Sequence, residues 1–142
     1  MISPTVMDWN QCEREFIRRV EPDSEQIKSI ILKARQRLKR ARETKVTEEA
    51  VSFIVEDYYE VIKELLVAYL LQAGFRSKNH QCLISYFLKK YPQYEQEAVI
   101  IAQMSFFRNR LDYYGESVPT DFYHKNKNDF EKIITILEKL FS

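Results

Sequence analysis

An all-helical domain is the fold class this sequence predicts, and three observations predict it. Glycine and proline are scarce, two and four in 142 residues, which leaves little turn material for a sheet of many strands. Apolar residues recur at spacings of three and four along most of the chain, the period of a helix with one buried face. Hydrophobic residues make up 45% and charged residues 30%, the balance of a globular chain with a sizeable core rather than a disordered one. A short hairpin is compatible with this composition, but an all-helical reading is more economical. The length suits one domain over residues 1–142, with 1–22 a helical extension and 23–142 the core.

Each element has its own signature. Trp9, Cys12, Phe16 and Val20 predict a short amphipathic helix that Pro22 breaks. Asp23 and Gln26, three apart, have the form of a capping box for the next helix. Its apolar stripe is Ile27, Ile30, Ile31, Ala34, Leu38 and Ala41. Thr47 is the expected N-cap of a third and longest helix, with Glu48 and Glu49 suited to the positive end of its dipole. That helix runs to about Gln72 and is expected at the centre, with Glu49, Glu56, Glu60 and Glu64 along one face and Gly74 as its stop. Ser77 is the expected start of a fourth helix, placing His80 at its third position, and Pro92 closes it. From about Gln93 the period resumes through Ala98, Ile101, Ala102 and Ser105. These small residues predict the close approach of another helix, from this chain or a second subunit. Gly115 to Thr120 reads as a loop and Asp121–Lys127 as polar and irregular. Phe130, Ile133, Ile134, Leu137, Leu140 and Phe141 then mark the last helix.

Several classes of function are excluded or disfavoured. No apolar run approaches the ~20 residues that cross a bilayer, so no membrane role is expected. The N-terminus lacks the layout of a signal peptide, which predicts a cytoplasmic protein. Cys12 and Cys82 are few and far apart, consistent there with reduced thiols. There is no phosphate-cradling glycine loop, no CxxC and no HExxH, and Cys12, His80, Cys82 and His124 are scattered, so neither a metal nor a cofactor is expected. Net charge is +1, so affinity for nucleic acid must come from local clustering.

Two clusters exist. The second helix carries Lys28, Arg35, Lys39 and Arg42 on one flank and Lys33, Arg37 and Arg40 on the other. These are either a solvated surface paired with acids elsewhere or a track for phosphates. The second cluster is Ser105–Gly115, SFFRNRLDYYG, where polar residues interrupt an apolar helical pattern. Arg108 supplies a planar cationic fork suited to phosphate, Asn109 an orienting amide, and Tyr113 and Tyr114 hydroxyls that donate protons but are poor bases. Arg108 and Tyr113 lie roughly 140° apart on a regular helix and do not share a face. Arg108 and Asp112, four apart, also fit an ordinary helical ion pair.

Two stretches, YYEVIKELLVAYLLQAGFRSKNHQCLISYF (Tyr58–Phe87) and RNRLDYYG (Arg108–Gly115), resemble the HEPN domain family over roughly residues 24–141. The first is similar to that family's long second helix, glycine and following histidine. The second is similar to its arginine–polar–spacer–histidine motif, with Arg108 and Asn109 at the first two positions and Tyr113 where the histidine falls. The resemblance implies an up-and-down bundle of four to five antiparallel helices and a homodimer. It also implies an RNA- or nucleotide-directed protein of a toxin–antitoxin type system. In active members this is a metal-independent endoribonuclease whose cleft lies at the dimer interface. Arg108, Asn109 and Tyr113 are then the catalytic candidates, and His80, Asp112 and Tyr114 the auxiliary ones. The alternative is a catalytically inactive subunit that binds a nucleotidyltransferase or a nucleotide. A nucleotidyltransferase antitoxin is the implied partner, with Tyr113 and Tyr114 as tyrosines it would modify.

Overall fold

The third helix, Val51–Gln72 (α3), buries side chains around most of its circumference and sits at the centre, with Glu56, Asp57, Glu60, Lys63 and Glu64 gathered on the remaining face. The computed structural model describes residues 6–141; the first five residues of the expected extension and Ser142 lie outside the described residues. Around α3 pack α2 (Ser24–Glu43), α4 (Gln81–Lys90), α5 (Glu95–Tyr114) and α6 (Thr120–Lys139). A short first helix, α1 (Trp9–Glu15), rests on α4. Residues 37 and 40 of α2 face 64 and 57 of α3, so these two helices run antiparallel. Residue 108 of α5 likewise faces residue 60 of α3. The core is made of side chains such as Ile54, Ile62, Leu65, Phe87, Ile101 and Phe130, all essentially without solvent contact.

The fold is mostly helical, with one addition. Ile17–Arg19 (β1) pairs antiparallel with Phe75–Ser77 (β2), Ile17 opposite Ser77 and Arg19 opposite Phe75. The first helix therefore stops at Glu15 instead of continuing to Val20. Gly74 makes the exchange possible. It ends α3 in a left-handed conformation (φ 87°), and its carbonyl accepts the Val20 amide at 2.9 Å. Chain that periodicity assigns to helix is held instead as an edge strand on this turn.

Three further expectations are corrected. Ser77 does not start α4: its hydroxyl closes a turn with Asn79, and the Asn79 carboxamide oxygen accepts the Gln81 amide at 2.8 Å. His80 thus precedes the first turn rather than occupying the third position. Residues 121–127 are helical, not irregular, because Tyr123 and Asn126 turn inward at helical spacing among polar neighbours. Cys12 and Cys82 are a disulfide, Cα atoms 5.6 Å apart, since α1 lies against α4. The expectation of two separate reduced thiols therefore fails.

The capping reading of Asp23 holds in its first half, for its carboxylate accepts the Glu25 and Gln26 amides. Thr47 caps the turn that leads into α3, through Oγ1 and the Ala50 amide at 3.1 Å. Ala98, Ala102 and Ser105 are buried inside the chain, on the helix that packs against α3 and α4. The close approach they predict is therefore made within one subunit.

Candidate functional site

A cleft of about 510 Å³ opens between the start of α4 and the second half of α5. Its lining brings together Phe16 from the loop before β1, Tyr59 from α3, the run Lys78–Gln81, and Ser105, Arg108, Asn109 and Tyr113 from α5. The α3–α4 connection reaches α5 because the β1–β2 ladder and the disulfide pin it there. Deeper in the cleft, Gln81 Nε2 donates to Ser105 Oγ at 2.9 Å. Burial raises the pKa of the Tyr59 hydroxyl, partly offset by its hydrogen bond with Ser105.

Arg108 stands in a frame of acids. Its Nη2 lies 3.2 Å from Glu60 Oε1 and its Nε 3.1 Å from Asp112 Oδ2. Both contacts are within ion-pair range but off the line of a hydrogen bond, so Arg108 Nε and Glu60 Oε1 are buried without an aligned partner. Glu60 is also held by Lys63 at 2.6 Å. The remaining Arg108 nitrogen, Nη1, makes only a long contact of 3.4 Å to Asn109 Oδ1. With its side chain 24% exposed, the guanidinium presents this one edge to the cleft. Behind it the Glu56 carboxyl is pushed up to about 7, first by burial and then by the neighbouring Asp112 carboxylate, against the pull of Arg108.

His80 sits on the opposite lip. By area the residue is exposed, yet its ring is close enough to the protein for partial desolvation to lower its pKa below 6.5. Lys63 and Arg108 lower it further, while Glu60 opposes them. It is therefore a rim imidazole, mostly neutral at pH 7 and able to accept a proton. Tyr113 also lines the cleft but is 75% exposed, and Tyr114 beside it is 69% exposed. The Tyr114 ring lies under Arg110, whose guanidinium is 4.8 Å from the ring centre and paired with Glu116.

The structure gathers Arg108, Asn109, Tyr113 and His80 at one cleft and places Asp112 directly behind it. Lys78, Asn79, Gln81 and Tyr59 are cleft residues that sequence reading missed. They come from a turn and a neighbouring helix with no periodic signal to join them to α5. Glu60 was visible only as one member of an acidic face.

The seven cations of α2 lie elsewhere, each with a partner. Arg40 binds Asp57 through Nε and Nη2, and Arg42 binds Glu131 in the same manner. Arg37 pairs with Glu64 at 3.3 Å, Arg35 with Glu138 at 3.2 Å, and Lys39 and Lys28 with Glu43 and Glu25 on their own helix. Lys33 donates to Gln36 at 3.1 Å. A larger groove of about 580 Å³ between α2 and α6 takes Arg35, Lys39 and Arg42 around Leu38 and Ile134. Its cations Arg35, Lys39 and Arg42 face carboxylates, and its lining includes no histidine, so the smaller cleft is the better candidate site.

Among the described residues no helix is long and apolar enough to cross a membrane. Comparison with protein-family models, with curated proteins and with solved structures finds no match to this chain.

Proposed function

We propose that this chain is an RNA- or nucleotide-directed HEPN-like protein of a toxin–antitoxin type system, with Arg108 as the phosphate anchor. The observation that carries this reading is the convergence of Arg108, from α5, and His80, from the turn before α4, on one cleft with Lys78 and six side-chain amide and hydroxyl groups. A guanidinium edge and an ammonium suit a phosphate oxygen. A neutral imidazole suits proton removal. In RNA cleavage without a metal, His80 takes the proton of a 2′-hydroxyl as that oxygen attacks phosphorus. The P–O5′ bond then breaks, leaving a cyclic phosphate and a 5′-oxygen that water protonates. His80 does the work that the resemblance assigns to a histidine at the position of Tyr113, since a phenol is in general a poor base. Tyr113 and Tyr114 form an open aromatic lip, suited to contact with a second copy in a homodimer or with a nucleotidyltransferase.

A specific observation favours a second reading. Arg108 is already bracketed by Glu60 and Asp112, and such a guanidinium is a weaker anion site than a free one. On that reading the chain is the non-catalytic partner subunit and the tyrosine lip is its docking surface. Incubation of purified protein with single-stranded RNA in EDTA separates the two. Cleavage that is lost in His80→Asn and Arg108→Lys but kept in Tyr113→Phe supports the nuclease. Intact RNA with all four proteins, alongside capture of a nucleotidyltransferase that Tyr114→Ala abolishes, supports the partner subunit.

A further inference from the structure

The cations of α2 are spent on partners, but those of the small sheet are not. The strands β1 and β2, with Lys78 that follows, hold seven residues, four of them cations and none an acid. Arg18, Arg19, Arg76 and Lys78 are all exposed. Arg19 lies over the Phe75 ring, 5.9 Å from its centre. Among the described residues Arg18, Arg76 and Lys78 pair with no carboxylate, although Glu15 and Glu21 flank β1. The register sets Arg18 directly opposite Arg76. Side chains so placed have Cβ atoms about 5 Å apart, and like charges there repel. Charge on a sheet edge discourages pairing with other strands, but that role needs no two cations face to face. The ladder that carries them is braced at both ends. The Val20 amide donates to the Gly74 carbonyl and the Lys78 amide to the Phe16 carbonyl, both at 2.9 Å. Residues two apart on a strand point to one side, about 7 Å from each other, so Lys78 follows Arg76 on the same face. Lys78 and Phe16 line the cleft that Arg108 enters. The cationic face of the ladder therefore leads into the cleft.

We propose that the β1–β2 ladder is a platform for a phosphate backbone, and that the ligand of the cleft is single-stranded RNA several nucleotides long rather than a mononucleotide. One phosphate sits at Arg108. The strand leaves the cleft past Lys78 and crosses Arg76 and Arg18, whose opposed guanidinium forks take the oxygens of phosphates further along. An anion brought between these two arginines removes their repulsion, a gain that a ligand confined to the cleft does not realise. The spacing of Arg76 and Lys78 is close to that of successive phosphates in an extended strand. Tyr113, 75% exposed, and Phe16 offer ring faces at the cleft on which a base can stack. The platform depends on the reading of Arg108 as the phosphate anchor, and it adds to that reading the class and length of the ligand.

The test is fluorescence anisotropy with a fluorescein-labelled 2′-fluoro oligouridylate of about twelve nucleotides, which lacks the attacking hydroxyl and is not cut. Each phosphate contact to a single strand contributes about 0.7 to the slope of log affinity against log salt, so Arg18→Gln with Arg76→Gln should lower the slope by about 1.4 and the affinity at about 0.1 M salt by about 25-fold. Arg18→Lys with Arg76→Lys keeps both charges and should keep the slope. Lys125→Gln with Lys127→Gln removes two exposed cations of α6 and should also leave it unchanged. A labelled dinucleotide, long enough for the cleft alone, should bind these variants as it binds the wild type and lose about ten-fold only in Arg108→Lys. Oligouridylate binding that the glutamine pair leaves unchanged while Arg108→Lys weakens it overturns the platform and keeps the anchor. An equal drop in the α6 pair or the lysine pair also overturns the platform, as an effect of net charge or of a damaged ladder. Binding indifferent to Arg108→Lys, or none by the wild type, removes the anchor and the platform with it. A polyglutamate of matched charge that binds as tightly as the oligouridylate makes the ladder a site for acidic protein and overturns the RNA assignment.

Discussion

Arg108→Lys is the substitution that best separates what the fork holds from what it binds. The guanidinium spans Glu60, Asp112 and Asn109 at once, at 3.2, 3.1 and 3.4 Å. An ammonium keeps the charge but reaches at most one of the two carboxylates closely. The structural loss is therefore about one charge-assisted contact, roughly 1–1.5 kcal/mol. For a domain of this size that lowers Tm by about 4 °C. Arg108→Met removes the charge as well. It leaves Asp112 and half of Glu60 without a cation and is expected to cost about 2–3 kcal/mol, less than a fully buried pair because the side chain is 24% exposed. Thermal unfolding by circular dichroism measures both. Oligonucleotide binding below the transition then measures function with the fold intact, and Arg108→Lys should bind at least about ten-fold more weakly. A lysine variant as stable as the wild type refutes the bracketed frame. One that is less stable but binds normally refutes the anchor.

Other expectations follow from the same contacts. Tyr58 donates to Glu131 at 2.7 Å, a carboxylate held below its ordinary value first by Arg42 and then by this hydroxyl, so Tyr58→Phe should cost about 1.5–3 kcal/mol in urea titrations. Because that carboxyl stays ionised below its usual range, the cost is present at neutral pH and disappears only as acid protonates Glu131. Ser52 Oγ accepts the Val118 amide at 2.8 Å inside the core, so Ser52→Ala should cost about 1–3 kcal/mol and loosen the α5–α6 connection, seen as faster amide exchange at Val118. Glu56 is pushed from 4.5 up to about 7, so the stability its proton confers is fully present below about 4.5 and lost as pH rises through about 7. Glu56→Gln keeps the neutral form and should match wild type near pH 4 but exceed it near pH 8, by about 1 kcal/mol after solvent screening. A deficit at the higher pH in a Tm-versus-pH series contradicts the assignment.

The helices were legible wherever one face had to be buried. Ala34, Leu38 and Ala41 of α2, and Ile54, Ile62 and Leu65 of α3, repeat at helical spacing and all are in the core. The start of α6 was not legible, because its inward residues there are Tyr123 and Asn126, set among charged and polar neighbours that periodicity counts as loop. The strands were invisible for a different reason. Ile17–Arg19 is too short to show alternation, and its pairing is set by Gly74, more than fifty residues away in sequence. At the site, Arg108 and Asn109 stood out because a cation interrupts an apolar stripe. Lys78 and His80 could not be joined to them, since that contact depends on how a turn is pinned. Charge on α2 was plain in the sequence, but its partners Asp57, Glu64, Glu131 and Glu138 lie on two other helices. Only the packing shows that they reach it.

The disulfide between Cys12 and Cys82 has a mechanical consequence. It closes a loop of 70 residues that contains β1, α2, the whole of α3 and β2. Pulled from its two ends, the oxidised chain transmits force across the sulfur bridge and leaves that loop unloaded. At ~3.5 Å per extended residue, about 245 Å of contour is hidden from the instrument. A single-molecule extension trace in reductant should lengthen by that amount. The central helix, which everything else packs against, bears tension only once the bridge is gone.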